Sequence, residues 1–316
     1  MTRLLLASVS TMLLTTIAGP VWSQAPAPPA APSAQPAAPA APAAQPSRLP
    51  IETKKVDGTD NVYIFRNQNH QAMFVVTNDG VIATDPVAYG RPTGGQTYLD
   101  EIKKVTDKPV KYLIYSHHHF DHIAGGKAFK DAGATVIAHK RVKERLAPLG
   151  DPNTVLPDEV FDDKKTIELG GTTLELSYHG LNHSDSTIVM RLPREKIVFI
   201  VDTIPVGSVP GRGMIDMYPL ETEDFIKKVL AMDWERLIPG HPGQPNGRLG
   251  TKKDAEDQLK LLQEASAEMK KLGQEGKCWD AAEKEFKLPN YASWPGYENG
   301  LPFIARRYCG LWGRGT

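Results

Sequence analysis

A mixed α/β (α+β) domain is what the sequence predicts, and three observations predict it. Short apolar or β-branched runs come in two sets, one ending near Ala138 and one beginning near Thr166. Segments of helical period lie between and after them, each with its apolar residues on one face. The composition is that of an ordinary globular protein, with 316 residues of which 41% are hydrophobic and 23% charged. A chain of that size can bury a sizeable core.

The N-terminus reads as something other than the domain. Arg3 precedes Leu4-Leu5-Leu6-Ala7 and Met12-Leu13-Leu14, and Ser23-Gln24-Ala25 offers a small-x-small cleavage site. Residues 1–25 therefore have the pattern of a secretory signal peptide. The run is too short and too interrupted by Ser and Thr to span a bilayer. Residues 26–50 are almost entirely Ala, Pro, Gln and Ser, with no charge between Arg3 and Arg48. Such a stretch has too little to bury and favours extended conformations, so a disordered linker is expected. Together these features predict a periplasmic or secreted protein.

From Ile51 the elements follow in order. Val62–Phe65, Ala72–Val76 and Val81–Thr84 read as strands, and Asn78-Asp79-Gly80 marks a hairpin turn between the last two. Thr97–Thr106 reads as a helix with Leu99, Ile102 and Val105 on one face. Val110–Tyr115 is a further strand. A helix from about Gly125 to Ala132 and a strand over Ala134–Ala138 complete the first set. The second set is Thr166–Leu169, Thr173–Tyr178, Thr187–Leu192 and Lys196–Val201, followed by a helix over Glu221–Met232 and the short run Leu237-Ile238. Residues 51–250 are taken as the main folded domain. Residues 251–316 form a C-terminal extension: a helix from Thr251 to Leu272, then an aromatic-rich tail that packs on the domain or lines a substrate groove.

The chemistry concentrates in Ser116-His117-His118-His119-Phe120-Asp121-His122, directly after the strand that ends at Tyr115. The pattern is H-x-H-x-D-H. Neutral imidazole and carboxylate suit Zn²⁺ and its first-row neighbours. Alternate residues of an extended segment point the same way, so His117 and His119 can approach one ion together. Asp121 and His122 follow where the chain turns and can face a second. Further donors stand at other strand-to-loop junctions: His183 before Thr187–Leu192, Asp202 after Ile197–Val201, and His241 after Leu237-Ile238. His70, His118, His139 and His179 are expected not to be ligands, His179 being the best placed of the four for a supporting role.

On these residues the chain resembles the metallo-β-lactamase superfamily of hydrolases, over about Ile51 to Gly250. The resemblance implies a four-layer αβ/βα sandwich and two metal ions. His117, His119 and His183 would bind one, Asp121, His122 and His241 the other, and Asp202 would bridge them. Asp121 would also be the catalytic residue that orients or receives a proton. Asp85 matches the Asp that orders the metal loop from behind. The implied cofactors are two Zn²⁺, with iron or manganese as alternatives. Where the best-known zinc β-lactamases carry Cys or Ser, this chain has Asp202, as do the thioesterase- and lactonase-like branches it is similar to.

The resemblance therefore implies hydrolysis of an ester, thioester, lactone or related acyl bond in a small-molecule substrate. The alternatives are a single-iron enzyme like the persulfide dioxygenases, a weak β-lactamase, or a metal-binding module without activity. Lys plus Arg and Asp plus Glu both number 37, which argues against a nucleic-acid partner. No membrane span is expected once the signal is removed, and the sequence leaves the oligomeric state open. The loop Gly207–Met217 is expected to shape the pocket and carries Arg212 as a possible partner for an anion. Two cysteines, Cys278 and Cys309, either pair in an oxidising compartment or stay as buried thiols. A bridge would close a loop of about thirty residues, worth roughly 3 kcal/mol.

Overall fold

The computed structural model describes residues 50–316, so the expected signal peptide and all but the last residue of the expected linker lie outside the described residues. The first sheet and its helices run β1 (Glu52–Lys55), β2 (Val62–Asn67), β3 (His70–Val76), β4 (Val81–Thr84), α1 (Gly94–Val105), β5 (Val110–Ile114), α2 (Phe120–Ile123), α3 (Gly126–Asp131), β6 (Thr135–His139), α4 (Lys140–Leu146) and β7 (Glu159–Phe161). The second half runs β8 (Lys164–Leu169), β9 (Thr172–Tyr178), β10 (Ile188–Leu192), β11 (Ile197–Ile200), α5 (Pro219–Leu230), β12 (Arg236–Pro239), α6 (Lys252–Gln274), α7 (Asp280–Glu285) and α8 (Tyr297–Arg314). The seven strands of the first sheet lie side by side in chain order, and the second sheet has the order β12-β11-β10-β9-β8.

Period-two alternation explains the layering. Phe74 and Ala83 face the helices with Tyr98, Ile102 and Phe129, whereas Met73, Val75 and Ile82 face the other sheet. In the second sheet Ile188, Met190, Ile197 and Phe199 turn to that same central layer. Val189, Val198 and Ile200 turn outward onto α5, α6 and α8. Strands buried on both faces carry near-continuous apolar runs, as Ile197–Ile200 does throughout and Val81–Thr84 does up to Thr84. The result is a four-layer αβ/βα sandwich, the fold class expected from the sequence.

The pairs β4–β5, β5–β6, β6–β7 and β11–β12 are parallel. Each parallel pair needs a crossover, supplied by α1, by α2 and α3, by α4 and by α5. The carboxyl ends of these strands therefore gather at one edge of the sandwich, where loop residues meet over a rigid sheet.

The C-terminal region shares the core of the second half. Leu261, Leu262, Ala265 and Met269 of α6 pack with Ile304, Ala305 and Tyr308 of α8 and with Phe225 and Val229 of α5. Helix α8 was not legible in the sequence, because Pro302 and three glycines break its pattern. Cys278 and Cys309 are free thiols, and Cys309 Sγ accepts the Trp279 amide at 3.0 Å. Among the described residues no helix is long and apolar enough to cross a membrane.

Candidate metal centre

The H-x-H-x-D-H segment leaves the carboxyl end of β5 and winds into the one-turn helix α2. Its course is fixed from behind by Asp85, at the end of β4. The buried Asp85 carboxylate accepts the Ser116 amide at 2.8 Å. Burial raises the Asp85 pKa to about 6. Backbone strain collects here: Asp85 has φ 23°, Val87 φ 48° and Asp202 φ 61°. Positive φ is unfavourable for such residues and persists where the surroundings over-determine it.

All seven residues expected as ligands converge at this edge. Donor atoms of His117, His119, His183 and Asp202 lie within 4.8 Å of one another, and so do those of His70, Asp121, His122 and His241. Asp202 stands between the groups. Its Oδ2 is 3.1 Å from His122 Nε2, 3.4 Å from His183 Nε2 and 3.9 Å from His117 Nε2. Its Oδ1 is 3.0 Å from His241 Nε2. Gly240 makes this approach possible, since a Cβ there would stand 2.6 Å from Val201 Cγ1 and 3.1 Å from His122 Cε1.

The outer nitrogens are tied back, which points the inner ones at the centre. Ser116 Oγ is 2.8 Å from His117 Nδ1. His241 Nδ1 donates to the Asn69 carbonyl at 2.5 Å. His119 Nε2 donates to Asp216 at 2.8 Å, leaving Nδ1 3.0 Å from His183 Nε2. Buried Asn182 links two loops, because its Oδ1 accepts from both the His183 amide (2.6 Å) and Thr203 Oγ1 (2.9 Å).

The electrostatics suit a cation. Burial pushes His117 well below the ordinary histidine range and His183 to about 4, so both are neutral donors. Burial would do the same to His122, but Asp202, Asp121 and Asp85 outweigh it and raise that pKa to about 9. Burial would also raise Asp202, yet His122 and His241 hold it well below the carboxylate range. Buried His117 Nε2 and His122 Nε2 have no well-formed hydrogen bond. Imidazole and carboxylate donors with inward lone pairs and excess local negative charge fit first-row divalent ions.

His70, expected from the sequence not to be a ligand, stands at the edge of the centre beside Asp121. It opens β3, and because β3 is antiparallel to β4 its first residue lies beside the carboxyl end of β4. His70 Nε2 is 3.2 Å from Asp121 Oδ2, and Arg91 Nη2 is 3.3 Å from His70 Nδ1. Arginine only donates, so Nδ1 accepts and the ring proton sits on Nε2, where it donates to Asp121. Burial lowers the His70 pKa to about 4, consistent with a neutral ring. The hydrogen bond from His70, with His122 close by, outweighs burial and brings Asp121 down to about 2.

If an ion is held by Asp121, His122 and His241, His70→Ala should weaken its binding by roughly 10- to 100-fold, the usual scale for an outer partner. His70→Gln, which keeps a donor, should recover most of it. Competition with a chromogenic chelator reads both, and unchanged affinity in His70→Ala would remove His70 from this role.

His179 is corrected. It lies half-buried with Nε2 2.9 Å from Ser177 Oγ, among residues outside the cluster, so it supports the strand end rather than the centre. His118 turns to Ser186 Oγ at 2.8 Å and to Asp185, which Arg145 grips at 2.6 Å. It also forms a smaller donor group with His119 and Asp216. His139 stacks on Tyr178 at 4.1 Å and caps α4.

Above the centre opens a cavity of about 840 Å³. His119, Asp121, His183, Asp202 and His241 form part of its wall, and the loop from Ser208 to Met217 forms another, with exposed Arg212 on it.

Residues 69–241 match the model of the metallo-β-lactamase superfamily. The chain is 25% identical over 165 residues to the 2,4-dinitroanisole O-demethylase subunit alpha of Nocardioides sp. (strain JS1661), covering 51% of this chain and 49% of that one. It is 44% identical over 110 residues to a hydroxyacylglutathione hydrolase of Pelagibacter ubique (strain HTCC1062), covering 33% of this chain and 41% of the relative. The chain thus spans about half the length, or less, of these curated relatives. In fold it is similar to the stereoselective inverting sec-alkylsulfatase Pisa1 of Pseudomonas sp., with TM-score 0.67 and 15% identity over 83% of this chain and 50% of that one.

Proposed function

Because the chain belongs to the metallo-β-lactamase superfamily, a group of hydrolytic metalloenzymes, we propose that it is a dinuclear zinc hydrolase that cleaves an ester, thioester or lactone. The observation that carries this reading is Asp202, whose carboxylate is shared by the two donor groups, with Oδ2 3.4 Å from His183 Nε2 and 3.1 Å from His122 Nε2 and Oδ1 3.0 Å from His241 Nε2. In this reading His117, His119 and His183 would hold one ion, Asp121, His122 and His241 the other, with Asp202 shared between them. Such ions would supply a water ionised near neutral pH and a Lewis acid for the acceptor oxygen. The chain's own residues do the rest. Asp216 and Asn69 fix the tautomers of His119 and His241. Asp121, held by His70, stands at the cavity wall where it can orient the water and take its proton.

A carboxylate at position 202 supports acyl chemistry over efficient β-lactam hydrolysis, since a thiolate there would bind one ion softly rather than two. The match to a hydroxyacylglutathione hydrolase supports a thioester among the candidates. The signal-like residues 1–25 support export to the periplasm.

Purified protein should contain close to two metal ions per chain, with zinc the expected species, and chelation should abolish turnover of at least one member of an ester, thioester and lactone panel. Elemental analysis beside that panel is the test. One iron per chain, with oxygen uptake on a persulfide, would replace this reading by the dioxygenase one. Efficient hydrolysis of several β-lactams would show that position 202 does not decide the substrate.

A further inference from the structure

Apart from the metal-centre donors and the polar residues of the loop after Asp202, the cavity over the centre has an apolar stretch of wall, and one buried polar residue joins it. Val206, Val209, Met214 and Met217 line it from the loop after Asp202, and Pro242 from the loop after His241. Gln258 joins them from α6, in the C-terminal region beyond the residues matched to the family. Its side chain is 1% exposed, and its Oε1 has no hydrogen-bond partner. A buried amide oxygen left unpaired is rare and calls for an explanation. A leucine or methionine would suit the apolar neighbours better, so the core gives no reason for glutamine at this place.

We infer that Gln258 is a specificity residue. The substrate is an acyl compound whose non-reacting part is an apolar chain bearing a hydrogen-bond donor, a hydroxyl or amide N–H, which Gln258 Oε1 accepts. The apolar stretch excludes water from the chain, and an otherwise unpaired acceptor within it then discriminates strongly. A site built to pair with a substrate donor rejects the analogue lacking it, because its own polar group is left unsatisfied. An apolar wall alone separates chain lengths only weakly. This inference rests on the acyl-hydrolase reading for the reacting end. The donor end is tested by binding, which needs no turnover.

The probes are linear carboxylic acids of four to twelve carbons, each plain, with a terminal hydroxyl, or with a terminal methoxy group. Binding to the zinc-loaded full chain is measured by calorimetry. At one chain length the hydroxy acid should bind at least about tenfold more tightly than the plain and methoxy acids, a difference of about 1.4 kcal/mol. Gln258→Leu and Gln258→Met should bring the three to parity.

Equal binding at every length in the unaltered protein would overturn the proposal, as would a preference that survives in either variant. Methoxy acids binding as well as hydroxy acids would also overturn it, since they cannot donate. If both variants fail to fold, the comparison in the unaltered protein still decides. Nitrophenyl esters of the same acids run beside them test the other reading. A hydroxyl preference without turnover would sink acyl hydrolysis and leave the donor assignment standing. Turnover without a preference would do the reverse.

Discussion

Asp202→Ala should leave the protein with one metal ion or fewer per chain and lower turnover by at least about 100-fold, beyond the usual effect of an outer partner. The carboxylate is the shared neighbour of His117, His122, His183 and His241. Without it neither proposed ion keeps its full set of donors, and His122 loses the largest influence holding its pKa up to about 9. Asp202→Cys should be milder, a loss of at least about tenfold, because a thiolate can still bind one ion. Elemental analysis of the folded variants checks occupancy independently of activity. Retention of two ions by Asp202→Ala would mean that the bridge is not what holds them.

Tyr308→Ala should destabilise the domain by about 3–5 kcal/mol, the range for large aromatic truncations in a core. Tyr308 is wholly buried, packs with α6 in the core of the second half, and donates to the Leu262 carbonyl at 3.1 Å. The substitution leaves a void and an unpaired carbonyl together. Denaturant unfolding measures it. A loss under about 1 kcal/mol would mean that α8 lies outside the cooperative core, at the small end of ordinary substitutions.

The sequence made legible whatever is written locally. Runs such as Val81–Thr84 and Ile197–Ile200 announce strands buried on both faces, and these set the central layers. His117, His119, Asp121 and His122 were visible because six consecutive residues hold them, and His183, Asp202 and His241 because each follows a recognisable run. The edge strands β1 and β7 were not, being short and largely exposed. Helix α4 was hidden because Val142 and Leu146 alone mark its buried face.

His70, Asp216, Asn182 and Gln258 come to the site through pairing between distant segments. His70 reaches it by antiparallel register, 51 positions from the carboxylate it holds. Asp216 reaches His119 across 97 positions. Nothing near either residue in the chain records the meeting. One signal was available for His70: it follows Gln68-Asn69, a turn-forming pair at the start of a strand, which places it at the same edge as the ends of the parallel strands.

The donors come from both halves of the sandwich. His117, His119, Asp121 and His122 belong to the first sheet's loop, and His183, Asp202 and His241 to loops of the second. Neither half has a complete set by itself. A chain with only one sheet formed can grip an ion weakly at best, and the pair can be captured only after the sheets have docked, because such sites rarely pre-exist in unfolded chains. In the proposed two-ion enzyme, ion capture would thus be a last step of assembly. A nascent or misfolded copy would have no hydrolytic power to release on its surroundings, and the ions of a finished copy would rivet it across its seam, raising the cost of prying the halves apart.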